Sequence, residues 1–529
     1  MKNRLMILTV FIFFIGIFCI IETEGLEKLD NCISIKDIQS INSQIIKDIK
    51  QNRQEANFNL AILKYKGNEI PYDSENNIYY FCTYNEEYNF DVYYSDNTTV
   101  KYHFDKNNNL IKLITYNKKK YKIYNIQLTK FPVISIDLEN KNKNKDEPIS
   151  DKYVYGSIKI LDNISNKHSL NILDITSKFK IRGGISRQYE KKNYTVQLID
   201  SNSGEDLLVE HIFGYEKNSK FVLNSIYEDN SKIRDKISWE CWKRINRKND
   251  SDIKINYVEL LVNNKYYGLY GFSEFPNEYK LNSNSEYSAI YKVNTNLIDS
   301  IKNINEESIR QDKITLIYPK VASDNLLNPL NKLYRLIYES NNEEFSKEIL
   351  NYINIDNCID YFILLELIYG YDNFCNNSIF EYNNKNEKFT RIPWDLDLTW
   401  GARWNKENQV NIDYDLSNSK KLLCENGNVN LKTYLEQRLW QNNVGNFRQK
   451  VAKRWKELRS GFLETESFVN YANSLYDEVT ESGARKREHE RWPDGGYSTD
   501  NSFIEKFIRQ RLPYLDSQFL QYLDDSGEN

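Results

Sequence analysis

Residues 371–401 bring together side chains able to do acid–base or metal chemistry. Asp372 is followed by the adjacent amides Asn376 and Asn377, then by an apolar run over 378–382, a polar turn over 383–386 and a second apolar run over 389–393. Trp394, Asp395, Leu396 and Asp397 close the segment, and Trp400 comes three residues later. Carboxylates and amides supply hard oxygen donors, suited to Mg²⁺ or Mn²⁺, and a carboxylate can take a proton from a hydroxyl. Phosphoryl transfer needs such parts, because its transition state is stabilised by positioning and by the cation, with little covalent work for the protein. Paired carboxylates beside tryptophan platforms also suit a glycosidase. In a chain this rich in Asn, the same spacing also describes an Asn-capped turn and the end of a Trp-Asp strand.

The order of the parts narrows the chemistry. The apolar stretch 356–368 reads as a buried helix that delivers Asp372 into a loop, Asn377 follows five positions later, and a hairpin returns the chain to Asp395. Protein kinases use this order: one Asp orients or deprotonates the acceptor hydroxyl, an Asn holds a metal, and a second Asp bridges metal and phosphates. Upstream, Lys180, Arg182, Gly183, Gly184 and Ser186 form a glycine-containing turn, and Lys191 and Lys192 precede the next strand. A turn with accessible N–H groups can approach phosphates, and a lysine beside it can pin them as a point charge. Arg182 and Lys191 also read as parts of a solvated hairpin. Glu274 follows an apolar strand and stands two residues before Pro276, which suits a hinge or an exposed strand end.

The elements that must position these groups form a mixed α+β domain. Strands are predicted at 131–137, 153–160, 179–181, 194–199, 221–223, 257–262 and 267–272, with helices at 231–245 and 356–368. Beyond Asp397 the pattern is mostly helical, with helices at 446–463, 466–482 and 500–511. Ahead of this domain, 26–55 reads as a polar helical connector, and short alternating runs over 58–128 read as an antiparallel β module of unknown role. The Lys- and Asn-rich stretch 139–147 reads as a solvated loop. The organisation expected is therefore 1–25, 26–128 and 129–525.

Composition excludes several classes. The 529 residues suffice for two to four domains at about 150 residues each, and 40% hydrophobic with 28% charged residues is the balance of a globular chain. Lys+Arg 71 against Asp+Glu 75 leaves no basic excess for a dedicated nucleic-acid binder. Four scattered histidines, and seven cysteines without a CxxC, argue against a His-based triad, a structural zinc site or a disulfide framework. Lys2 and Arg4 precede a mostly apolar run over 5–21 with no small-residue cleavage site after it. That pattern predicts an uncleaved single-pass anchor or export signal, with the bulk of the chain outside the cytoplasm.

Taken together, these segments resemble the spore coat protein H (CotH) family of atypical kinases. The resemblance rests on the run Phe-Pro-Val-Ile-Ser-Ile at 131–136, on Arg182, Gly183, Ser186, Lys191 and Lys192, and on Asp229, Ser231 and Arg234. It continues through Val258, Glu259, Tyr267, Gly268 and Glu274, then Asp372 with Asn377, then Pro393, Trp394, Asp395, Asp397, Trp400 and Gly401. Arg487, Arg491, Trp492, Phe507, Arg511, Leu515 and Asp516 extend it, so that about 130–520 is covered in one order.

The resemblance implies a protein-kinase-like core with a mostly helical C-terminal part, using ATP and Mg²⁺ or Mn²⁺ to phosphorylate a Ser-rich coat or surface protein. By position, Asp372 would be the catalytic acid/base and Asp395 the metal-binding Asp, assisted by Asn377 or its neighbour Asn376. Arg182, Lys191 and Lys192 would contact phosphates, and Glu274 and Trp400 would belong to the nucleotide site. Ile185 departs from the family's pattern, standing where Asn is expected before Ser186. The rival reading from another class is a coat or cell-surface scaffold of the same fold, which has no need of both Asp372 and Asp395.

Overall fold

In the computed structural model of the chain the described residues are 33–34, 43–57, 61–83, 89–94, 101–107, 109–139, 148–165, 170–200, 207–247, 253–276, 288–293, 314–319, 324–375, 377–404, 412–414, 416–425 and 435–523. The apolar run 5–21, the anchor expected there, Asn376 and most of the loop 139–147 lie outside them. Among the described residues no helix is long and apolar enough to cross a membrane. Two compact units are present: Met1–Ser135 with Ile160–Leu173 and Asn263–Lys265, and Ile136–Lys159 with Asp174–Val262 and Tyr266–Asn529.

In the first unit, alternating apolar residues build two sheets over a core that includes Leu63, Phe81, Ile111, Leu113 and Ile126, all fully buried. One sheet orders the strands Ile33–Ser34, Asn89–Tyr94, Ala61–Tyr65 and Asn68–Glu69. The other orders Tyr72–Asp73, Ile78–Cys82, Lys120–Thr129, Leu110–Tyr116 and Lys101–Asn107. This module is not purely antiparallel as expected: Lys120–Thr129 pairs in parallel with Ile78–Cys82 and with Gln54–Glu55. Apolar alternation fixes which face is buried but not the direction of a partner distant in sequence.

A closed barrel lies mostly within the second unit. Its strands are β1 (Val133–Leu138), β2 (Val154–Asp162), β3 (Asn171–Arg182), β4 (Asn193–Leu198), β5 (Lys220–Asn224), β6 (Ile255–Val262) and β7 (Lys265–Glu274), in the spatial order β1-β2-β3-β4-β5-β7-β6. Closure removes the exposed edges that an open sheet would leave. Along β3, Ser177, Phe179 and Ile181 are buried while Lys178, Lys180 and Arg182 are half-exposed. The period of two therefore puts Arg182 on the opposite face from Phe179 and Ile181. Between β5 and β6 lies α1 (Arg234–Ile245), which starts three residues later than expected because Lys232 is left-handed, with φ 63°. Asp229 caps its start, accepting from the N–H groups of Ser231 at 2.9 Å and Arg234 at 2.8 Å.

After the barrel come β8 (Ala289–Val293), β9 (Ile314–Tyr318), α2 (Asp324–Tyr338), α3 (Asn342–Glu348), α4 (Ile355–Ile368), α5 (Tyr371–Cys375), β10 (Ser378–Asn383) and β11 (Lys388–Ile392). The four strands make a sheet in the order β9-β8-β10-β11. Every residue of α4 from 357 to 368 is buried, as its all-round apolar sequence requires. Tyr369, left-handed with φ 52°, ends the helix, and the Gly370 N–H donates to Leu365 O at 2.9 Å.

The remaining helices are α6 (Leu435–Gln441), α7 (Phe447–Arg459), α8 (Thr465–Glu481), α9 (Ala484–Arg491) and α10 (Ser502–Phe519). Helix α10 continues past Pro513 to Phe519, beyond the expected end at 511, because Leu512, Leu515 and Phe519 are all buried. Cys82, Cys241, Cys358 and Cys424 are buried free thiols.

Candidate functional site

Two loops are tied together to make the site. Asp372 lies in the first turn of α5, a short helix where the sequence suggested a loop. The Asn377 Nδ2 donates to Asp372 Oδ2 at 2.6 Å, and Asn377 is left-handed, with φ 48°. One residue after Asp372, the buried Asn373 donates through Nδ2 to Trp394 O at 2.6 Å and to Asp395 O at 3.3 Å. Tyr361 of α4 in turn donates its hydroxyl to Asn373 O at 3.2 Å. The buried helix thus sets Asn373, and Asn373 sets the turn that presents Asp395, itself left-handed at φ 61°.

The far side of that turn is fixed by α1. Arg234, paired with Asp229, donates through Nε to Thr399 O at 3.1 Å. Ser238 Oγ lies 3.2 Å from Thr399 Oγ1 and accepts the Trp400 indole N–H at 2.9 Å. The spacing of Asp229, Ser231 and Arg234 is therefore structural: it caps a helix and anchors the loop behind the acidic pair. Trp400 is fully buried against Phe468 and Phe507, and the next residue must be glycine, because a Cβ on Gly401 (φ 82°) would press on Phe503 and Phe507 at 3.0 Å. Trp400 is a core residue and has no surface to offer a nucleotide.

Four carboxylates act on one another electrostatically: Asp235 from α1, Asp372 from α5, and Asp395 and Asp397 from the loop. Burial, followed by the charges of Asp395, Asp235 and Asp372, pushes Asp397 well above the ordinary carboxylate range. Burial and Asp395 push Asp235 up to about 7, opposed by the Asn224 amide, which donates to Asp235 Oδ2 at 2.9 Å. Asp235 Oδ1 is buried with no hydrogen-bond partner among the described residues. Two cations face the group. Burial lowers the pKa of Arg182, against the pull of Asp395, Asp235 and Asp397. Burial also lowers that of Lys292 in β8, against Asp395 and Asp372. The Arg182 guanidinium lies 5.2 Å and the Lys292 ammonium 5.9 Å from the centroid of the buried Trp394 ring.

The other sequence candidates are placed elsewhere. Lys191 is fully buried, and its ammonium donates to Ser225 O at 2.8 Å, Leu269 O at 2.5 Å and both Glu488 carboxylate oxygens at 2.7 and 2.8 Å. Burial lowers its pKa to about 7, with Glu488 opposing. Glu488 also accepts the Leu269 N–H at 2.9 Å and lies 3.7 Å from Lys232. Lys192 donates to Arg187 O at 2.9 Å and Tyr189 O at 2.7 Å, closing the 3₁₀ turn Ile185–Gln188 that follows the two glycines. Both lysines hold protein carbonyls, and full burial leaves Lys191 no surface to offer a phosphate. Glu274 is fully buried at the end of β7, where Oε2 accepts the Lys254 N–H at 3.0 Å, and is not an exposed strand end. Its neighbour Phe275 meets the Trp394 ring edge-on at 5.4 Å.

Sequence reasoning missed three contributors. Asn373 sits beside Asp372 and was hidden by the abundance of Asn. Asp235 adjoins the Arg234 landmark, a signal that could have drawn attention to it. Lys292 stands in a strand with no motif.

Among the described residues no group of three or more His, Cys, Asp or Glu is arranged to hold a metal ion by itself. The donor chemistry nonetheless fits a hard divalent cation: carboxylates act on one another, burial and then their mutual repulsion raise two carboxyl pKa values, and Asp235 Oδ1 is orphaned. Asp395 and Asn377 are the residues that would hold it.

The described residues make an α+β protein with a barrel, a helical C-terminal part and a group of carboxylates faced by two cations. The family model described as CotH kinase protein matches residues 179–515, and the chain belongs to that family. No curated protein matches the chain significantly.

Proposed function

We propose that the protein is an atypical kinase that transfers the γ-phosphate of ATP to Ser or Thr hydroxyls of a coat or surface protein, held at an extracytoplasmic membrane face, or in a spore coat, by its N-terminal segment. The observation that carries this reading is the convergence of Asp372, oriented by Asn377 at 2.6 Å, and Asp395, presented by Asn373, opposite Arg182. Family membership supports the kinase class.

In this reading Asp372 orients the acceptor hydroxyl and accepts its proton, and the Asn377 amide fixes the plane of that carboxylate. Asp395 and Asn377 would hold a divalent cation, which when bound would offset the charge of the phosphates. Arg182 offers a forked donor to phosphate oxygens, a geometry that matches them in pairs. The left-handed backbone at Asp395 and the tether at Asn373 keep the carboxylate in place before any ligand arrives, so little reorganisation is left for the reaction.

The test is phosphate incorporation from γ-labelled ATP by the full chain with Mg²⁺ or Mn²⁺, a Ser-rich polypeptide as acceptor and Asp395→Ala as control. Label in the wild type that vanishes in the variant supports the kinase. A folded protein that binds no ATP is the result that moves the assignment to a scaffold of the same fold.

A further inference from the structure

The lysines near the barrel differ in one respect. Lys191, Lys192 and Lys232 each spend the ammonium on backbone carbonyls, Lys191 also on Glu488, and Lys236 donates to Ile255 O and lies 3.6 Å from Glu240. The Lys292 ammonium makes no hydrogen bond or ion pair among the described residues, and neither does the Arg182 guanidinium. Both are half-buried, and both lie within 6 Å of the centroid of one ring, Trp394. They come from different sheets: Arg182 from the end of β3, where it pairs in register with Asn193, and Lys292 from β8, where it pairs with Ile379. The Trp394 indole N–H is itself buried with no acceptor among the described residues.

Uncommitted cations are costly to bury, and an arginine fork, an ammonium and an indole N–H together form a donor set for an anion with several oxygens. The carboxylates Asp372 and Asp395 facing Lys292 repel a bare acidic peptide. They accommodate a phosphate chain that brings its own divalent cation.

We propose that Lys292, together with Arg182, forms the polyphosphate clasp of this protein, with Trp394 as its floor, and that Lys191 and Lys192 take no part in it. The inference deepens the kinase reading and rests on it for the identity of the ligand as a nucleoside triphosphate. It assigns the point-charge role to a strand of the second sheet, where a lysine beside the glycine turn was expected.

The probes are Mg·tripolyphosphate and Mg·ATP, titrated calorimetrically into the full chain. Lys292→Met should weaken both by about ten-fold or more, the loss expected for one charge-assisted contact, with an unchanged melting temperature, and Lys292→Arg should recover most of the affinity. Wild-type affinity in Lys292→Met, or a wild type that binds neither probe, overturns the clasp. A second measurement needs no variant: Mg·tripolyphosphate should protect Lys292 of the wild type from reductive methylation, and equal labelling with and without the probe overturns the proposal. Failure of the kinase reading is seen separately. Binding lost in Lys292→Met without any phosphate transfer by the wild type keeps the clasp and rejects the kinase, whereas transfer that survives Lys292→Met intact keeps the kinase and rejects the clasp. An acidic peptide that displaces tripolyphosphate in the absence of divalent cation would make the site a substrate-docking one and overturn its assignment to the nucleotide.

Discussion

The side-chain amide of Asn373 donates to the carbonyl oxygen of Trp394 at 2.6 Å, and this one bond ties the helix that carries Asp372 to the turn that carries Asp395. Asn373 touches neither reacting group in the proposed chemistry; it acts through the position of Asp395. Asn373→Leu should therefore lower the phosphate-transfer kcat by about ten-fold or more while leaving the KM for the protein acceptor near wild type. Leaving the buried carbonyls unpaired should also cost about 1–3 kcal/mol of stability. Steady-state kinetics alongside urea unfolding separate the two effects, and Tyr361→Phe, which removes the donor to Asn373 O, should show a smaller version of both.

Asp372→Asn and Asp395→Asn preserve volume and remove charge. Each should reduce transfer by about 10²-fold or more, with circular dichroism and thermal melting close to wild type. Collapse of folding in both variants would instead make the pair structural.

The tryptophans should divide cleanly. Trp400→Phe removes a buried hydrogen bond to Ser238 and packing against Phe468 and Phe507, so it should destabilise by about 1–3 kcal/mol and leave the ATP dissociation constant within about two-fold. Trp394→Ala should weaken ATP binding strongly. Equal effects of the two on binding would contradict the core placement of Trp400.

Arg511, fully buried, donates to Glu366 Oε2 at 2.9 Å and to Glu366 O at 2.7 Å, while Glu366 also accepts the N–H groups of Leu423 and Cys424. Arg511→Met strands a buried carboxylate and should cost about 3–5 kcal/mol, measured as a fall in the urea midpoint.

Glu228 supplies a pH dependence. Burial pushes its carboxyl up to about 7, with Lys232 opposing. Because the folded-state pKa lies above that of the unfolded chain, the folded protein binds the extra proton, and the stability linked to this group is present at low pH and lost as pH rises towards and through 7. Between pH 5 and pH 8 the wild type should lose more thermal stability than Glu228→Gln, as read by melting temperatures across that range; parallel curves would remove Glu228 from the account.

Much of the fold was legible. The barrel strands, α4 and the hairpin of β10 and β11 announce themselves through local apolar periodicity, and each lies within a few residues of its expected bounds except β3, which starts at Asn171, eight residues before the expected 179. Helix α9 did not, because its residues are almost all polar. It forms through tertiary partners: Glu488 on Lys191, Arg487 on Glu259, Arg491 on Tyr266 O at 3.0 Å, and the following Trp492 on Tyr267 O at 2.7 Å. Gly268 is required opposite Glu488, where a Cβ would collide with the carboxylate.

The sequence by itself determined the chemistry available: two acidic loops separated by a hairpin, an Asn five residues after the first Asp, and an arginine at a strand end. Those features are local, set by residue type, spacing and a period of two or 3.6. Only the tertiary structure decided which side chains lie beside the acidic loops. Lys191 is withdrawn by a carboxylate 297 positions away, Trp400 by helices that follow it, and Lys292 is admitted by the pairing of β8 with β10. Such choices depend on which distant groups meet and on whether an ammonium or an indole is already satisfied when they do, and residue spacing along the chain carries no record of that.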